Sequence, residues 1–241
     1  MKSLIQAGLR RFGFEIARFP RGPREEPAVE RGLRQVCAGI DRPMLFDVGA
    51  HHGSTETLFR RLSPAATIHC FEPFAASYAV LARSISPGSV AHNFGFADSA
   101  GTKSLAANVL EATNSLLSLD ETAADTWALS DLRETDRIDC QFRTIDAFIA
   151  AEGIERIDLL KLDTQGAEYL VLEGARQALA DGKIKAVFLE IITAQTYVGQ
   201  KDFTFYIELF DRAGFTLYGL YETLHTAKGE LLQLDALFVL K

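Results

Sequence analysis

Length, composition and charge limit what this chain can do. Its 241 residues are 48% hydrophobic, enough for one large α/β domain with a full core. The formal net charge of −7 disfavours a general nucleic-acid binder, because phosphate neutralisation requires clustered lysine and arginine. Three widely spaced cysteines form neither a disulfide framework nor a metal-binding motif, which indicates a reducing, cytoplasmic location. The sequence shows no spanning segment and no signal peptide.

The first 28 residues differ from the rest of the chain. Apolar residues recur at helical spacing between Leu4 and Phe19, and lysine and arginine lie among them. This pattern permits an amphipathic helix. One interpretation is weak contact with a membrane surface or a partner. The other, favoured because such stretches recur in soluble proteins, is packing against the domain. We predict an N-terminal segment and linker, residues 1–28, and one domain, residues 29–241.

The segment from Met44 to Glu56 predicts a ligand site. It reads MLFDVGAHHGSTE, a short apolar strand followed by a glycine-bearing loop and the start of a helix. Asp47 lies near the strand end, at the sheet edge where open α/β folds bind ligands. Gly49 and Gly53 let the backbone turn and approach a ligand that a Cβ atom would exclude. On this interpretation, a Gly49→Val protein folds but does not bind the ligand.

The glycine spacing excludes two nucleotide-binding motifs. His51 stands where a dinucleotide-binding G-x-G-x-x-G needs its second glycine, and no lysine follows Gly53 as a phosphate-binding loop requires. The spacing therefore favours an adenosyl ligand without a pyrophosphate. The sequence DVGAHHG resembles the motif of class I S-adenosylmethionine-dependent methyltransferases. Ser54 or Thr55 is expected to cap the helix that follows.

A second strand, Thr67 to Phe71, ends in Glu72, which lies 25 positions after Asp47. An acidic residue roughly 20 positions past a glycine loop, at the tip of the next strand, is where ribose hydroxyls are accepted. A solvated strand-end charge is the alternative, but the strand, the acid and Pro73 together favour ribose binding. Phe74 can supply an apolar wall for the adenine.

The middle of the chain predicts a third strand and a long polar connection. The strand runs from Val90 to Phe96, and the nearby Asp98 can either reach the adenine amino group or serve as a turn residue. Lys103 to Val109 is a candidate hairpin strand. Glu111 to Arg137 is a candidate substrate lid or mobile loop, and Trp127 is expected to anchor it to the body.

Further strand-end carboxylates follow. A fourth strand, Ile157 to Leu162, ends at Asp163, which therefore joins Asp47 and Glu72 at one sheet edge. The fifth strand, AVFLEI, carries Glu190 near its end. Two more strands are predicted at residues 215–220 and 234–240. Helices are predicted at Val29–Ile40, Ser54–Leu62, Ala75–Ser84, Ile145–Glu152 (capped by Thr144), Ala167–Glu173 and Asp202–Ala213.

Four segments carry a closer resemblance: FDVGAHHG, CFEP, RTID and IDLLKLDTQGAEYLVLEGA. From Pro43 to about Glu190 they resemble the FkbM family of S-adenosylmethionine-dependent methyltransferases. The family usually reads D-V-G-A-N-x-G and K-x-D-x-E-G-x-E, so this chain has His51 for the asparagine and Gln165 for the glutamate. The resemblance implies an α/β, Rossmann-like class I methyltransferase fold, with helices on both faces of a seven-stranded, mostly parallel sheet whose last strand is antiparallel. It also implies O-methylation of a hydroxyl, often on a sugar or natural product.

The chemistry of such a transfer requires few catalytic groups. The methyl of a sulfonium is already activated, so the protein must align the acceptor oxygen with it and provide a base. Asp163 is the first candidate for the base or substrate contact, Glu190 the second, and His51 or His52 the third. No metal site is predicted, because Asp163 and Glu190 alone provide too few ligands. The predicted cofactor-binding residues are Asp47, Gly49, Ala50, His51, Gly53, Glu72, Pro73, Phe74 and Asp98.

Two other functions stay open at this point. One is an NAD-type oxidoreductase on a Rossmann-like fold, and the other is a catalytically inactive S-adenosylmethionine-binding partner protein. The expected acceptor is a small molecule or a glycan. Its recognition is expected in Glu111 to Arg137 and Thr193 to Lys201, where no motif identifies its chemistry.

Overall fold

The computed structural model describes residues 26–241, so the predicted N-terminal amphipathic segment lies outside the described residues. The strands are β1 (Met44–Val48), β2 (Thr67–Phe71), β3 (Ser89–His92), β4 (Gly95–Phe96), β5 (Gly101–Asn108), β6 (Glu134–Arg143), β7 (Leu159–Leu162), β8 (Ala186–Ile192), β9 (Phe215–His225) and β10 (Leu231–Leu240). The helices are α1 (Ala28–Cys37), α2 (Ser54–Leu62), α3 (Ala75–Ser84), α4 (Ala123–Trp127), α5 (Ile145–Ala151), α6 (Glu168–Glu173), α7 (Arg176–Ala180) and α8 (Phe203–Arg212).

Seven strands form the central sheet, in the order β3-β2-β1-β7-β8-β10-β9. Strands β3, β2, β1, β7 and β8 pair in parallel, and β10 runs antiparallel between β8 and β9. This topology confirms the predicted class I fold with an antiparallel last strand. The chain builds outward from β1 on one side and then crosses to β7 on the other. The carboxyl ends of β1 and β7 therefore form the switch point, where open α/β sheets bind ligands.

Helices cover both faces of this sheet, as predicted. Alternate side chains of a strand point to opposite faces, so Phe46 belongs to the core cluster that includes residues of α5, α6, α7 and α8, and Leu45 belongs to the cluster that includes residues of α1, α2 and α3. Asp47 follows Phe46 and therefore shares the face of Leu45. Within residues 26–241, no helix is long and apolar enough to cross a membrane.

The third predicted strand is divided between two sheets. Instead of one strand from Val90 to Phe96, β3 joins the central sheet and β4 joins a small sheet of order β4-β6-β5. Asn93 lies at the break, where its side-chain amide donates to the carbonyl oxygens of Glu72 at 3.0 Å and Pro73 at 3.1 Å. The Asn93 side chain thus binds the backbone that follows β2, at the point where the chain leaves the central sheet after β3.

The polar connection from Glu111 to Arg137 has regular structure of its own. It contains a 3₁₀ turn at Glu111–Thr113, helix α4 and the start of β6. The Trp127 side chain donates from Nε1 to Thr196 Oγ1 at 2.7 Å. This hydrogen bond ties the segment to the loop after β8, which agrees with the anchoring role expected for Trp127.

The remaining element bounds follow the sequence closely. Helices α2 and α3 have the predicted bounds, and Thr144 caps α5 by accepting from the N–H of Ala147. Helix α7 was not predicted, and β9 continues to His225 beyond its predicted end. The prediction that Ser54 or Thr55 caps α2 is wrong, because Gly53 occupies the capping position and caps through no side chain.

Candidate active site

The loop that follows β1 packs directly against the end of β7. Gly49 adopts a left-handed conformation, with φ of +78°. A Cβ atom on Gly49 would lie only 1.8 Å from the backbone oxygen of Asp163. Contact between two loops of the protein therefore requires this glycine, whereas the sequence analysis attributed it to the approach of a ligand. A valine at Gly49 is incompatible with the contact, contrary to the expectation that this variant folds.

A cavity opens at the carboxyl ends of β1, β2 and β7. Six of the nine predicted cofactor-binding residues line this first cavity: Gly49, Ala50, His51, Glu72, Pro73 and Phe74. The segment between β5 and β6 contributes Ser115, and the loop after β7 contributes Asp163 and Gln165. The structure thus brings together the segments that follow β1, β2 and β7, which the sequence analysis predicted at one sheet edge.

Glu72 is held rigidly at the end of β2. Its carboxylate accepts hydrogen bonds from the backbone N–H of His51 and of Phe74, both at 2.9 Å. Burial raises the pKa of Glu72 to about 7, although the two N–H donors favour the ionised form. A carboxylate has about four lone-pair sites, so two are still free to accept hydroxyl donors from a ligand.

The first cavity fits an adenosyl group. Its apolar walls suit the faces of a flat ring, and Glu72 provides an acceptor for the ribose hydroxyls. The leucine and phenylalanine residues of this lining are Phe74, Phe96, Leu105, Leu116 and Phe142. Cofactor binding by the individual residues stays a prediction. It depends on the apolar walls of the cavity and on the Glu72 carboxylate as the hydrogen-bond acceptor.

We expect the affinity for S-adenosylhomocysteine to rise with pH through Glu72. Ribose hydroxyls donate to the ionised carboxylate, and a pKa of about 7 leaves only a minor fraction ionised at pH 6. Affinity should therefore rise about tenfold between pH 6 and pH 8 and then level off. Glu72→Gln should lose about 2 to 4 kcal/mol of binding free energy at pH 8 and lose this pH dependence.

Calorimetric titration at several pH values measures both effects. Glu111→Gln is the matched control, because it removes another carboxylate from the lining of the same cavity. The control should keep the pH dependence. An unchanged pH dependence in Glu72→Gln would show that the ribose is held elsewhere.

Lys161 links β1 to β7 beside the first cavity. Its Nζ lies 3.1 Å from Asp47 Oδ1, 3.2 Å from Asp163 Oδ2 and 3.4 Å from the carbonyl oxygen of Gly49. Burial alone would lower the pKa of Lys161, but the charges of Asp163 and Asp47 outweigh it and raise that pKa, so the ammonium stays charged. Lys161 therefore fixes the position of Asp163 at the switch point.

Asp47 is completely buried behind Lys161. Burial raises its pKa, and the ion pair with Lys161 acts against that shift. This position does not support the predicted direct contact between Asp47 and the cofactor. Asp47 instead forms an ion pair with Lys161, its register partner across β1 and β7.

Two other predicted cofactor residues also lie away from the first cavity. A Cβ atom on Gly53 would lie 3.1 Å from side-chain atoms of Leu81 and Ser84, so Gly53 packs against α3. Asp98 is exposed and forms an ion pair with Lys103 at 3.0 Å. The structure therefore does not support a contact between Asp98 and the adenine, and the turn interpretation of Asp98 fits better.

Asp163 and Glu190 lie together at the ends of the neighbouring strands β7 and β8. Gln165 Nε2 donates to Asp163 Oδ1 at 2.8 Å and to Glu190 Oε2 at 3.1 Å. Gln233 Nε2 donates to the other oxygen of Glu190 at 2.9 Å. Burial, followed by the charge of Asp163, raises the pKa of Glu190 well above its usual value. The two predicted catalytic acids thus form one hydrogen-bonded group.

A second cavity shares Thr55, Lys161 and Asp163 with the first. Its carboxylates outnumber its single ammonium, that of Lys161, which is already paired. The acidic lining residues are Glu30, Asp163, Glu190, Glu222 and Asp235. Burial, followed by the charge of Asp163, raises the pKa of Asp235 to about 7. This lining favours hydroxylated or cationic ligands over anions.

The two histidines of the glycine loop stack on each other. Their ring centroids are 3.7 Å apart, and the Nε2 atoms of His51 and His52 each lie 4.0 Å from Glu111 Oε1. Burial, followed by the charge of His52, lowers the pKa of His51, which is therefore neutral at pH 7. The potential metal-ligand atoms of these three residues lie close enough to one another to bind a single metal ion. Glu111 also accepts a hydrogen bond from Ser77.

The sequence analysis missed Lys161 as a site residue. The signal was a lysine in an otherwise apolar strand, two positions before Asp163 and hence on the same face of the sheet. A buried strand does not carry a charge without a partner. The partner is Asp47, the one acid of β1. A charged residue of each sign within two apolar strands therefore indicated that Asp47 and Lys161 pair.

The chain is similar to known methyltransferases. The 2-O-methyltransferase NoeI from Sinorhizobium fredii is 24% identical over 77% of this chain and 79% of its own length. The methyltransferase sdnD from Sordaria araneosa is 30% identical over 55% of this chain and 60% of its own length. A solved rRNA methylase from Streptococcus thermophilus aligns at 12% identity and a TM-score of 0.47, over 91% of this chain and all of that one.

The family comparison covers most of the chain. The Methyltransferase FkbM domain matches residues 47–217, which include the glycine loop, Glu72, Asp163 and Glu190. Methyltransferases of this family take their methyl group from S-adenosylmethionine, and the first cavity fits that cofactor. The chain belongs to the FkbM family of S-adenosylmethionine-dependent methyltransferases.

Proposed function

We propose that this chain transfers a methyl group from S-adenosylmethionine to a hydroxyl oxygen of a small-molecule, sugar or glycan acceptor. One observation carries the proposal: Asp163 lies at the switch point and lines both cavities. A cofactor in the first cavity and an acceptor in the second would meet at this carboxylate. The similarity to the 2-O-methyltransferase NoeI supports oxygen as the methylated atom.

The residues of the first cavity would hold the cofactor. S-adenosylmethionine supplies a methyl group that its sulfonium already activates for transfer. Glu72 would accept the ribose hydroxyls, and Phe74 and the other apolar lining residues would enclose the adenine. Lys161 fixes the loop after β1 against the loop after β7, so the walls of the cavity are held before the cofactor binds.

The acids at the sheet edge would orient the acceptor and take its proton. Asp163 is 37% exposed at its side chain, and Lys161 and Gln165 hold it in one orientation. It can therefore contact an incoming hydroxyl without rearrangement. Glu190 lies one strand away, and burial raises its pKa well above the usual value, which favours a proton held beside Asp163.

The second cavity supports a neutral, hydroxyl-bearing acceptor. Carboxylates accept hydrogen bonds from hydroxyl groups, and this cavity has several. A polyanion such as a nucleic-acid backbone would meet like charge there, in line with the net charge of −7. Sugars, glycans and hydroxylated natural products are the substrate classes that match this lining.

A transfer assay tests the proposal. The protein is incubated with methyl-labelled S-adenosylmethionine and a library of sugars, glycans and hydroxylated natural products, and products are characterised by NMR. We expect the label in a methyl ether. Label found only on nitrogen or carbon would overturn O-methylation, and cofactor binding without any transfer would indicate an inactive binding protein. Binding of NAD in place of S-adenosylmethionine would indicate an oxidoreductase.

A further inference from the structure

Gln165 occupies an unusual backbone conformation at the junction of the two strand-end acids. Its φ is +57°, a left-handed value that few residues other than glycine adopt. The Ser115 hydroxyl donates to its carbonyl oxygen at 2.7 Å, and the ring of Tyr197 packs against the neighbouring Gly166. Contacts from two other segments therefore hold this conformation in place, which is the usual setting of such residues at functional sites.

Both hydrogens of the Gln165 side-chain amide are donated to carboxylates. One amide hydrogen is directed to Asp163 Oδ1 and the other to Glu190 Oε2, and the hydroxyl of Tyr197 lies 3.1 Å from Oε1. This set of partners fixes the orientation of the amide, because a flipped amide would direct its oxygen at two carboxylates. Gln165 thus presents two donors to two acids from one rigid group.

Two acids this close repel each other when both are ionised. Asp163 has the ammonium of Lys161 on its other oxygen, and Glu190 has the amide of Gln233 on its other oxygen. The amide of Gln165 is the group that both acids share. A glutamate in its place would bring three carboxylates together, and such a group requires a bound proton or a cation.

We propose that Gln165 is a positioning residue that holds Asp163 and Glu190 in one fixed pair without a cation between them. This inference rests on the proposed function, since it assigns the geometry of the acids that would contact the acceptor hydroxyl. It separates this chain from a three-carboxylate arrangement at the same position. The consequence is that the pair of Asp163 and Glu190 needs no divalent cation to hold it together, whereas Gln165→Glu creates a need for one at this position.

Gln165→Glu tests the pair with a side chain of the same shape. At low pH the new carboxyl holds a proton, and at higher pH it ionises beside two acids. We expect kcat to fall at least tenfold between pH 5.5 and pH 8 relative to the unmodified protein, with partial recovery in Mg²⁺ or Ca²⁺. The KM for S-adenosylmethionine should change less than about threefold. Gln165→Met, which has the length but no donors, should be slow at every pH and gain nothing from a cation.

Thermal unfolding provides a readout that requires no acceptor. The raised pKa of the new carboxyl in the folded state means that stability is present at low pH and lost as pH rises through that pKa. The Tm of Gln165→Glu should therefore fall, relative to the unmodified protein, by about 5 °C or more between pH 5 and pH 8. Gln177→Glu is the matched control, because Gln177 is exposed and its side-chain amide donates to a single carboxylate, that of Asp181.

The outcomes separate this inference from the proposed function. An unmodified protein that methylates no hydroxyl would contradict the proposed function, yet the pH-dependent Tm would still test the pairing of the acids. A Tm difference no larger than that of Gln177→Glu would overturn the inference. So would a Gln165→Glu protein whose kcat and pH profile match those of the unmodified protein.

Discussion

Asp163→Asn is expected to lower kcat by about 10²- to 10⁴-fold, the usual range for general-base assistance. The affinity for S-adenosylhomocysteine should change less than about threefold, because the ribose and adenine contacts that we propose lie with Glu72 and the apolar walls. Asparagine keeps the shape of the side chain and can still accept a hydrogen bond from one donor. The expected fall in kcat therefore comes from the loss of the proton-accepting carboxylate. Steady-state kinetics with an acceptor from the hydroxyl library, together with calorimetry, measures the two effects separately.

Asp98→Asn is the matched control for this variant. It removes an aspartate that also pairs with a lysine, at 3.0 Å, but outside both cavities. It should leave both kcat and cofactor affinity unchanged. If Asp163→Asn instead loses cofactor affinity while turnover at saturation is intact, Asp163 belongs to the cofactor site. Glu190 or His52 would then be the better candidate for the base.

Gly49→Val is expected to destabilise the fold itself. A left-handed conformation costs a residue with a Cβ atom about 1 to 2 kcal/mol, and overpacking costs typically another 1 to 3 kcal/mol. A Cβ atom 1.8 Å from the backbone of Asp163 puts the second cost at or above the top of its range. The sum is about 4 to 5 kcal/mol or more, comparable with the whole stability of many domains. Urea unfolding followed by circular dichroism measures the loss.

Gly39→Val separates the two contributions. Gly39 has the same φ, +78°, but a Cβ atom there would meet no heavy atom within 4 Å. Its valine variant should lose only the backbone cost of about 1 to 2 kcal/mol. A Gly49→Val protein as stable as Gly39→Val would show that the loop can move away from β7. In that case the glycine would serve ligand approach after all.

The sequence predicted the frame of the site because strand ends carry their own signals. An apolar run followed by an acid and a glycine placed β1 and its loop correctly, and Glu72 followed β2 at the expected distance. Parallel strands bring their carboxyl ends to one edge, so Glu72 and Asp163 had to converge. These inferences depended only on local pattern and on the rules of parallel sheets.

The parts that failed depended on contacts between distant segments. Asp98 looked like a strand-end acid because nothing local shows that Asn93 ends β3 early and sends the chain into a second sheet. The close approach of Gly49 to Asp163 was missed because the two residues are more than a hundred positions apart. The hydrogen bond from Gln165 to Glu190 likewise joins the loop after β7 to strand β8, and only the folded sheet brings the two residues together.

The central claim is that cofactor and acceptor meet at the strand-end acids. A crystal structure with S-adenosylhomocysteine and the O-methylated product bound together tests it most directly. The account predicts the ribose at Glu72, the adenine among Phe74, Phe96 and Phe142, and the reacting oxygen within hydrogen-bond distance of Asp163 or Glu190. An adenosyl group outside the first cavity, or an acceptor oxygen remote from both acids, would contradict it.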